Sequence, residues 1–389
     1  MILGFKTQLK LNSIQLIALA KHAGTSRHAY NWGLGLCQQI LEHNKQNPDK
    51  KIKFPSAIDL HKWLVAIVKP ENPWYYESSK SAPQNALRSL RTAFDRFFAG
   101  TSGFPNFKKK FRNDSFTLDG TIKVISQSKI QVPVIGVLKT FEHLPVGYRP
   151  KSVMISRQAD KWFISYKIEV EESVSTATSA VGVDLGLLRF ATLSTGEEIE
   201  SPRPYKALEK QLAKIQWGNR NKELNSNNYR KAQVKVARLQ AQIASVRKDF
   251  IHKLTTRLAK NHGQIVIEDL NVKGMIAFGH LAKSVSDSGF YEFRRQLEYK
   301  TKLYGSKLVL SDRWFASSKT CNHCSCKKES LSLSERVFTC SECGFEIDRD
   351  LNAALNLVRL VQPEFTPTDM KTPKSMAEVG IKTCTNLLG

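Results

Sequence analysis

Cys321-Asn-His-Cys324 and Cys340-Ser-Glu-Cys343 stand in the spacing C-x2-C-x15-C-x2-C, which commits this stretch to two tight turns that face each other. Two thiolates from each turn close a tetrahedron around Zn²⁺, and four sulfurs leave no open position, so the ion expected here is structural. Gly344, directly after the second pair, lets its turn expose amides to the thiolates, and Lys319, Lys327 and Lys328 offset their charge. His323 and Cys326 lie close enough to stand in for a ligand. The other two thiols, Cys37 and Cys384, read as inert core and tail residues. An odd count of 7 cysteines, behind a start at Met1 to Lys10 with no apolar export signal, argues for reduced thiols and metal over a disulfide framework.

The chain carries 59 Lys and Arg against 35 Asp and Glu, a formal charge of +24. Such an excess repels itself unless a polyanion neutralises it, so nucleic acid is the expected partner and a membrane surface the weaker one. No apolar run reaches the ~18 residues needed to span a bilayer, and a cytoplasmic location is expected. With 389 residues and 41% hydrophobic content, the chain can build two or three folded domains around substantial cores.

Along the chain, residues 1–10 alternate as a strand and residues 13–100 read as mainly helical. In the helix Ala82 to Phe98, one apolar stripe runs through Ala86, Leu90, Ala93, Phe94 and Phe97. After Gly100 and Gly103, the segment 103–112 interleaves aromatics with cations, including Phe107, Lys108 and Lys109. It suits stacking and backbone tracking along a nucleic acid, or alternatively a solvated loop pinned by its aromatics. Short strands from about 115 to 172, among them Lys129 to Val134, Ser152 to Ser156 and Trp162 to Val170, predict a small β-barrel. The Ser/Thr/Ala stretch 173–179 reads as a linker.

A different pattern begins at Ala180-Val-Gly-Val-Asp184-Leu-Gly-Leu187, an apolar strand with one carboxylate inside it. An unpaired buried charge costs several kcal/mol, so something must compensate it. Gly196, Glu198 and Ile199 then mark a hairpin, which makes the start antiparallel. Residues 206–260 predict two long helices whose seams, Leu208, Leu212 and Ile215 against Val236, Leu239 and Ile243, leave an outer face of Lys and Arg. Gly263-Gln-Ile-Val-Ile-Glu268 repeats the strand with a carboxylate at its C-terminal end, where open α/β sheets place ligands. Ser286-Asp-Ser-Gly289 is expected to cap a helix from Phe290 to Tyr304, followed by a strand from Lys307 to Ser311. Asp348-Arg-Asp350-Leu-Asn352 opens the last helix.

Each acid has a tame explanation: Asp350 an N-cap, Asp184 a turn acceptor, Glu268 an ion-pair partner. Together, three carboxylates on separate buried elements are what two Mg²⁺ ions need, because hard cations take oxygen ligands and offset carboxylate desolvation. Two such ions ~3.5–4 Å apart clamp a scissile phosphate between the attacking water and the leaving oxygen, with no protein nucleophile.

At these residues the chain also resembles the TnpB proteins of insertion sequences, relatives of the type V CRISPR effectors. The likeness runs in order through Gly182-Val-Asp184-Leu-Gly186, Ile267-Glu268-Asp269-Leu270-Asn271, the run Ser286 to Lys300, the four cysteines and Asp348 to Asn356, with Asn72-Pro-Trp74 and Gly103 to Lys108 extending it upstream. The resemblance implies a multidomain α/β protein: a wedge β-barrel (1–10 and 115–179) with an inserted helical recognition domain (11–114), then an RNase H-like RuvC nuclease domain (180–318 and 346–361) around a zinc ribbon (319–345). Residues 362–389 are expected to be a mobile tail. It further implies an acidic triad at Asp184, Glu268 and Asp350, a guide RNA derived from the transposon end, recognition of a motif beside the target, and cutting of double-stranded DNA.

Lys80 and Gln84, one turn apart near the start of the recognition helix, are placed to read base edges, Gln favouring adenine, although Pro83 between them disturbs the early helix. Arg294 and Arg295 either contact a nucleic-acid backbone near the cutting site or are solvated. Other readings stay open: a catalytically silent RNA-guided DNA-binding regulator, which should lack part of the triad, a type V CRISPR effector with a different RNA, and a zinc-ribbon transposition accessory factor that only binds.

Overall fold

The computed structural model describes residues 1–172, 177–277, 279–332 and 334–362, in two units that divide after Val170. The expected linker falls partly, and the expected tail and Cys384 wholly or nearly so, outside the described residues.

In the first unit β1 (Ile2–Lys10) alternates in burial and leads to α1 (Ser13–Gln46). Asn12 and Gln15 start that helix as a reciprocal capping box: the Asn12 side chain accepts from the Gln15 amide at 2.8 Å and the Gln15 side chain from the Asn12 amide at 3.2 Å. A second box, Ser56 with Asp59, starts α2 (Ala57–Trp63), which runs through a π-helical turn at Leu64–Val68 into α3 (Lys69–Glu71). A 3-10 turn at Pro73–Glu77 precedes α4 (Ser81–Phe98). The stripe of α4 buries Ala86, Leu87, Leu90 and Phe94 and half-buries Ala93 and Phe97. Leu87 packs where α1 offers Gly33, at which a Cβ would meet a Leu87 methyl at 2.8 Å. Pro83 does not disturb α4. It is the third helical residue, where an amide has no intrahelical partner to lose.

The strands of this unit are β2 (Ser115–Asp119), β3 (Lys123–Ser126), β4 (Lys129–Val132), β5 (Gly136–Thr140), β6 (Ser152–Gln158) and β7 (Lys161–Glu169). With β1 they form a seven-stranded antiparallel sheet in the order β2-β6-β7-β1-β5-β4-β3. The long β1 pairs with β7 from Ile2 to Gln8 and passes to β5 at Leu9 and Lys10. Phe116 and Leu118 from one end of the sheet share a core with Ile130 and Val132 from the other. No ladder joins β2 to β3 among the described residues. The expected strand to Val134 stops at Val132 because Pro133 has no amide to donate and Val134 takes φ +68°.

The second unit opens with β8 (Ala180–Leu185), β9 (Arg189–Leu193) and β10 (Glu198–Glu200), followed by α5 (Pro204–Asn219) and α6 (Asn227–Asn261). Then come β11 (Gln264–Ile267), α7 (Val272–Ala277), α8 (Ala282–Ser288), α9 (Phe290–Tyr304) and β12 (Lys307–Leu310). The short β13 (Val337–Thr339) and β14 (Glu346–Asp348) precede α10 (Arg349–Arg359). The sheet order is β10-β9-β8-β11-β12, antiparallel across β10, β9 and β8 and parallel from β8 through β11 to β12. Val181, Val183, Ile265 and Ile267 share a core with Ile251, Leu254 and Leu258 of α6 and Phe293 and Leu297 of α9.

The helix α10 lies against β8 at Gly182, which leaves no room for a side chain: a Cβ there would stand 2.0 Å from the Ala354 carbonyl oxygen and 2.8 Å from the Val358 nitrogen. Gly182→Ala is therefore expected to lower folding stability by about 3 kcal/mol, read as a fall in denaturant midpoint. Gly4→Ala, where a Cβ would meet nothing within 4 Å, is the control. Equal midpoints for the two variants would show that α10 does not need this close approach.

The seam of α5 and α6 buries Leu212, Val236, Leu239 and Ile243 and half-buries Leu208 and Ile215, as the pattern requires. Lys210, Lys214, Arg220, Arg230, Lys231, Lys235, Arg238, Lys248, Lys253 and Arg257 are exposed, while Lys222 and Arg247 are half-buried. The segment Ser286 to Gly289 does not cap α9 through a side chain. It is the last turn of α8, and Gly289 at φ +75° joins the two helices. The Asp287 carboxylate, 7% exposed, instead accepts from the Tyr205 amide at 3.0 Å, the Lys206 amide at 3.3 Å and Arg247 at 3.2 Å. This caps α5 from a distance, because Arg203 at φ +39° offers that helix no side-chain cap of its own.

Candidate active site and metal centre

Asp184 occupies the fifth position of β8, and Glu268 directly follows the last residue of β11. These strands are parallel, with Ile267 paired to Val183, so the two acids emerge side by side at the C-terminal ends of adjacent strands. Asp350 sits in the first turn of α10, which Gly182 draws against β8. The helix cap is Asp348, whose side chain accepts from the amides of Asp350 and Leu351, each at 3.0 Å. Arg189 holds the other Asp348 oxygen at 3.0 Å. The capping explanation thus falls on Asp348 and leaves the Asp350 side chain for other contacts.

Asp184 is 8% exposed. Burial pushes its carboxyl well above the usual carboxylate range, the charges of Glu268 and Asp350 push it further, and Arg349 pulls against them. Burial also raises Glu268, against a hydrogen bond from the Ser317 hydroxyl. Arg349 pairs with Asp350 at 3.2 Å. The acids therefore share one field in a desolvated setting, an arrangement that a proton or a cation relieves. Among the described residues, only the four cysteines form a group of three or more His, Cys, Asp or Glu with all ligand atoms within 4.8 Å of one another. The three acids do not meet that distance. Beside Glu268 opens a cavity of about 310 Å³ whose lining includes Asp269, Tyr291, Arg294, Arg295 and Arg313.

The sulfurs of Cys321, Cys324, Cys340 and Cys343 converge, with Cys321 to Cys343 at 3.8 Å and Cys324 to Cys340 at 3.5 Å. Their two turns match: Ser325 takes φ +65° and its amide bonds the Cys321 carbonyl, while Gly344 takes φ +69° and its amide bonds the Cys340 carbonyl. The glycine signalled one turn in sequence, and the other hid under a serine. Neither alternative ligand joins the group: His323 stacks on Phe345, and the Cys326 carbonyl accepts from the Cys321 amide at 2.8 Å. Cys37, outside this unit, is fully buried, and burial pushes its thiol up to about 11, which disfavours the thiolate form.

The residues expected to touch nucleic acid differ in exposure and in their partners. Lys80 is exposed just before α4, and Gln84 is half-buried one turn on. In the loop after α4, Phe107 is 50% exposed and Lys109 is exposed. Lys108 is half-buried, its ammonium 4.2 Å from the Tyr30 ring centroid and its main chain bonded twice to the Asn31 side chain. Arg294 pairs with Asp269 and with Glu298 at 3.1 Å, and Arg295 grips Glu292 at 2.7 Å, so neither is merely solvated.

Sequence reasoning missed several supporting residues. Asn352 accepts from the Asn322 amide at 3.0 Å and donates to the Thr320 carbonyl at 2.7 Å, and Asn356 donates to the Ser317 carbonyl at 2.8 Å. Both are buried and lie four residues apart on the helix of Asp350, a signal that was available. Through them α10 holds the strand-to-ribbon segment. Ser317 and Arg313 carried no local signal.

Residues 163–278 match a family model described as "Probable transposase", residues 290–357 one described as "Cas12f1-like, TNB domain", and residues 1–46 one described as "Helix-turn-helix domain". In this chain residues 1–46 form β1 and a single continuous helix. A Streptomyces pristinaespiralis protein, by name an RNA-guided DNA endonuclease, is 38% identical over 310 residues, 75% of this chain and 74% of its own length. The Escherichia coli (strain K12) protein InsQ, named likewise, is 32% identical over 373 residues and 91% of each chain. Proteins of Acanthamoeba polyphaga mimivirus named TnpB-like are 26% identical over 208 residues, 50% of this chain and 39% of theirs. Among solved structures, the Cas12f1 chain of a complex with sgRNA and target DNA shares the fold at a TM-score of 0.56 and 14% identity, covering 88% of this chain and 83% of its own. No helix among the described residues is long and apolar enough to cross a membrane.

Proposed function

Because this chain belongs to the TnpB family, we propose that it is an RNA-guided DNA endonuclease that hydrolyses phosphodiesters at Asp184, Glu268 and Asp350. One observation carries the reading: a buried acid, Asp184, and a half-buried one, Glu268, stand side by side at the ends of parallel β8 and β11, with a third from α10 raising the first. The donor set is all oxygen and mutually repulsive, which fits hard divalent ions such as two Mg²⁺. Bound there, such ions would supply Lewis acidity toward a phosphate and lower the pKa of water. The chain itself contributes the low-dielectric floor under Asp184, the Ser317 hydroxyl that orients Glu268 and the Gly182 contact that holds Asp350 at the sheet.

In this reading residues 1–10 and 115–179 act as the wedge and 11–114 as the recognition domain, with Lys80, Gln84, Phe107, Lys108 and Lys109 toward nucleic acid. Residues 180–318 and 346–361 form the RuvC nuclease domain, and 319–345 form a zinc ribbon on the four cysteines. The exposed cations of α5 and α6 suit a guide RNA and a double-stranded DNA target. A silent regulator is disfavoured by the complete set of acids.

The test is purification with co-expressed RNA from the transposon end, then Mg²⁺-dependent cleavage of a plasmid library that matches the guide. Cutting that depends on the RNA and on one flanking motif is expected. RNA retained without any cutting would favour the regulator, and loss of both would favour the accessory factor.

A further inference from the structure

Residues 311–317 leave β12 toward the candidate active site and are tied to it on both sides of one exposed ring. Arg313 donates to Asp269, the neighbour of Glu268, at 2.7 Å, and the Ser317 hydroxyl donates to Glu268 itself. Between these ties stands Trp314, 86% exposed and the most exposed large apolar side chain among the described residues. The loop beneath it is ordered by its own hydrogen bonds: the Trp314 amide to the Asp312 carboxylate at 2.8 Å, the Phe315 amide to the Asp312 carbonyl at 3.1 Å and the Ser317 amide to the Phe315 carbonyl at 2.9 Å. An indole held in water by a braced backbone forgoes the burial that a Trp ring ordinarily gains. A second cation, Arg294, shares Asp269 with Arg313, and both line the cavity beside Glu268 together with Tyr291, which is 67% exposed.

We propose that Trp314 is a stacking platform for an unpaired nucleobase of the DNA strand being cut, with Arg313 and Arg294 toward the flanking phosphates. The ligand is single-stranded because a base inside a duplex already has both faces stacked, whereas an unpaired base offers a free face to an aromatic ring. Trp314 is then a positioning residue: its loop is bonded to Glu268 through Ser317, so a base on the indole sets where the neighbouring phosphate meets the acids. This rests on the reading of the acids as the cutting site.

Two measurements test it. In the RNA-loaded active protein, Trp314→Leu is expected to slow target cleavage about tenfold and Trp314→Phe to restore most of the rate, with guide RNA and duplex target bound as before. In the non-cutting Asp184→Asn complex, a single-stranded oligonucleotide is expected to quench tryptophan fluorescence, and Trp314→Phe to remove that quench. Equal cleavage by the Leu and Phe variants, or a quench unchanged by Trp314→Phe, would overturn the proposal. A Trp314-dependent quench beside a parent protein that never cuts would instead overturn the nuclease reading and leave the stacking site standing.

Discussion

Asp184→Asn is expected to reduce Mg²⁺-dependent cleavage about 1,000-fold or more while making the metal-free protein more stable at neutral pH. The two effects have one cause. The folded-state carboxyl of Asp184 lies well above the usual carboxylate range because it is buried beside Glu268 and Asp350, so the fold favours its protonated form. Its contribution to stability is fully present below the unfolded carboxylate value of about 3.9 and is lost as pH rises through the higher folded value. Asn cannot ionise, so the variant does not suffer that loss. Thermal melts across pH should therefore show the variant above the parent at neutral pH and the difference closing in acid. Mg²⁺ should raise the melting temperature of the parent and not of the variant. A variant that cuts at the parental rate would remove Asp184 from the active site. A variant less stable than the parent at neutral pH would show that the acid is satisfied without a cation.

Cys340→Ser is expected to release zinc, unfold the ribbon and abolish cleavage although no cysteine belongs to the acidic set. Structural zinc contributes roughly 10–16 kcal/mol of apparent binding energy in small metal-folded domains, and the ribbon has little else to hold it. Its apolar cluster is Phe338, Ile347, Leu355 and the cysteines themselves, with a few half-buried neighbours. The loss should spread, because Asn352 and Asn356 of α10 bond the main chain at Ser317, Thr320 and Asn322, and Ser317 also orients Glu268. Metal content by mass spectrometry and hydrogen exchange over residues 317–359 would follow this together. Zinc loss with unchanged exchange in α10 and full cutting would make the ribbon an independent module.

The exposed basic face of α5 and α6 has a weaker but separate meaning. Lys253 pairs with Asp249 and Arg257 with Glu197, and Arg220 lies over the Trp217 ring. The +24 excess already counts every Asp and Glu, so such pairs leave it whole and a polyanion remains the natural counter-charge.

Features that rest on local chemistry were legible in the chain before any coordinates. The C-x2-C-x15-C-x2-C spacing specified which four sulfurs converge, because tight turns bring their flanking thiols together whatever surrounds them. Apolar strands that carry a single carboxylate marked Asp184 and Glu268, and periodicity found the seam of α5 and α6. Long-range geometry was not legible. That β8 and β11 are parallel neighbours, so that their acids emerge side by side, is a pairing choice made across the intervening α5 and α6. That Gly182 is the seat of α10, that Asp287 caps a helix some 80 residues upstream, and that Arg313 and Ser317 clasp Asp269 and Glu268 are contacts between segments with no shared local pattern. Side-chain type and spacing determined what chemistry this protein carries; only tertiary packing decided which of those groups meet, because partners distant in sequence are selected by the fit of whole elements and not by any residue's own preference.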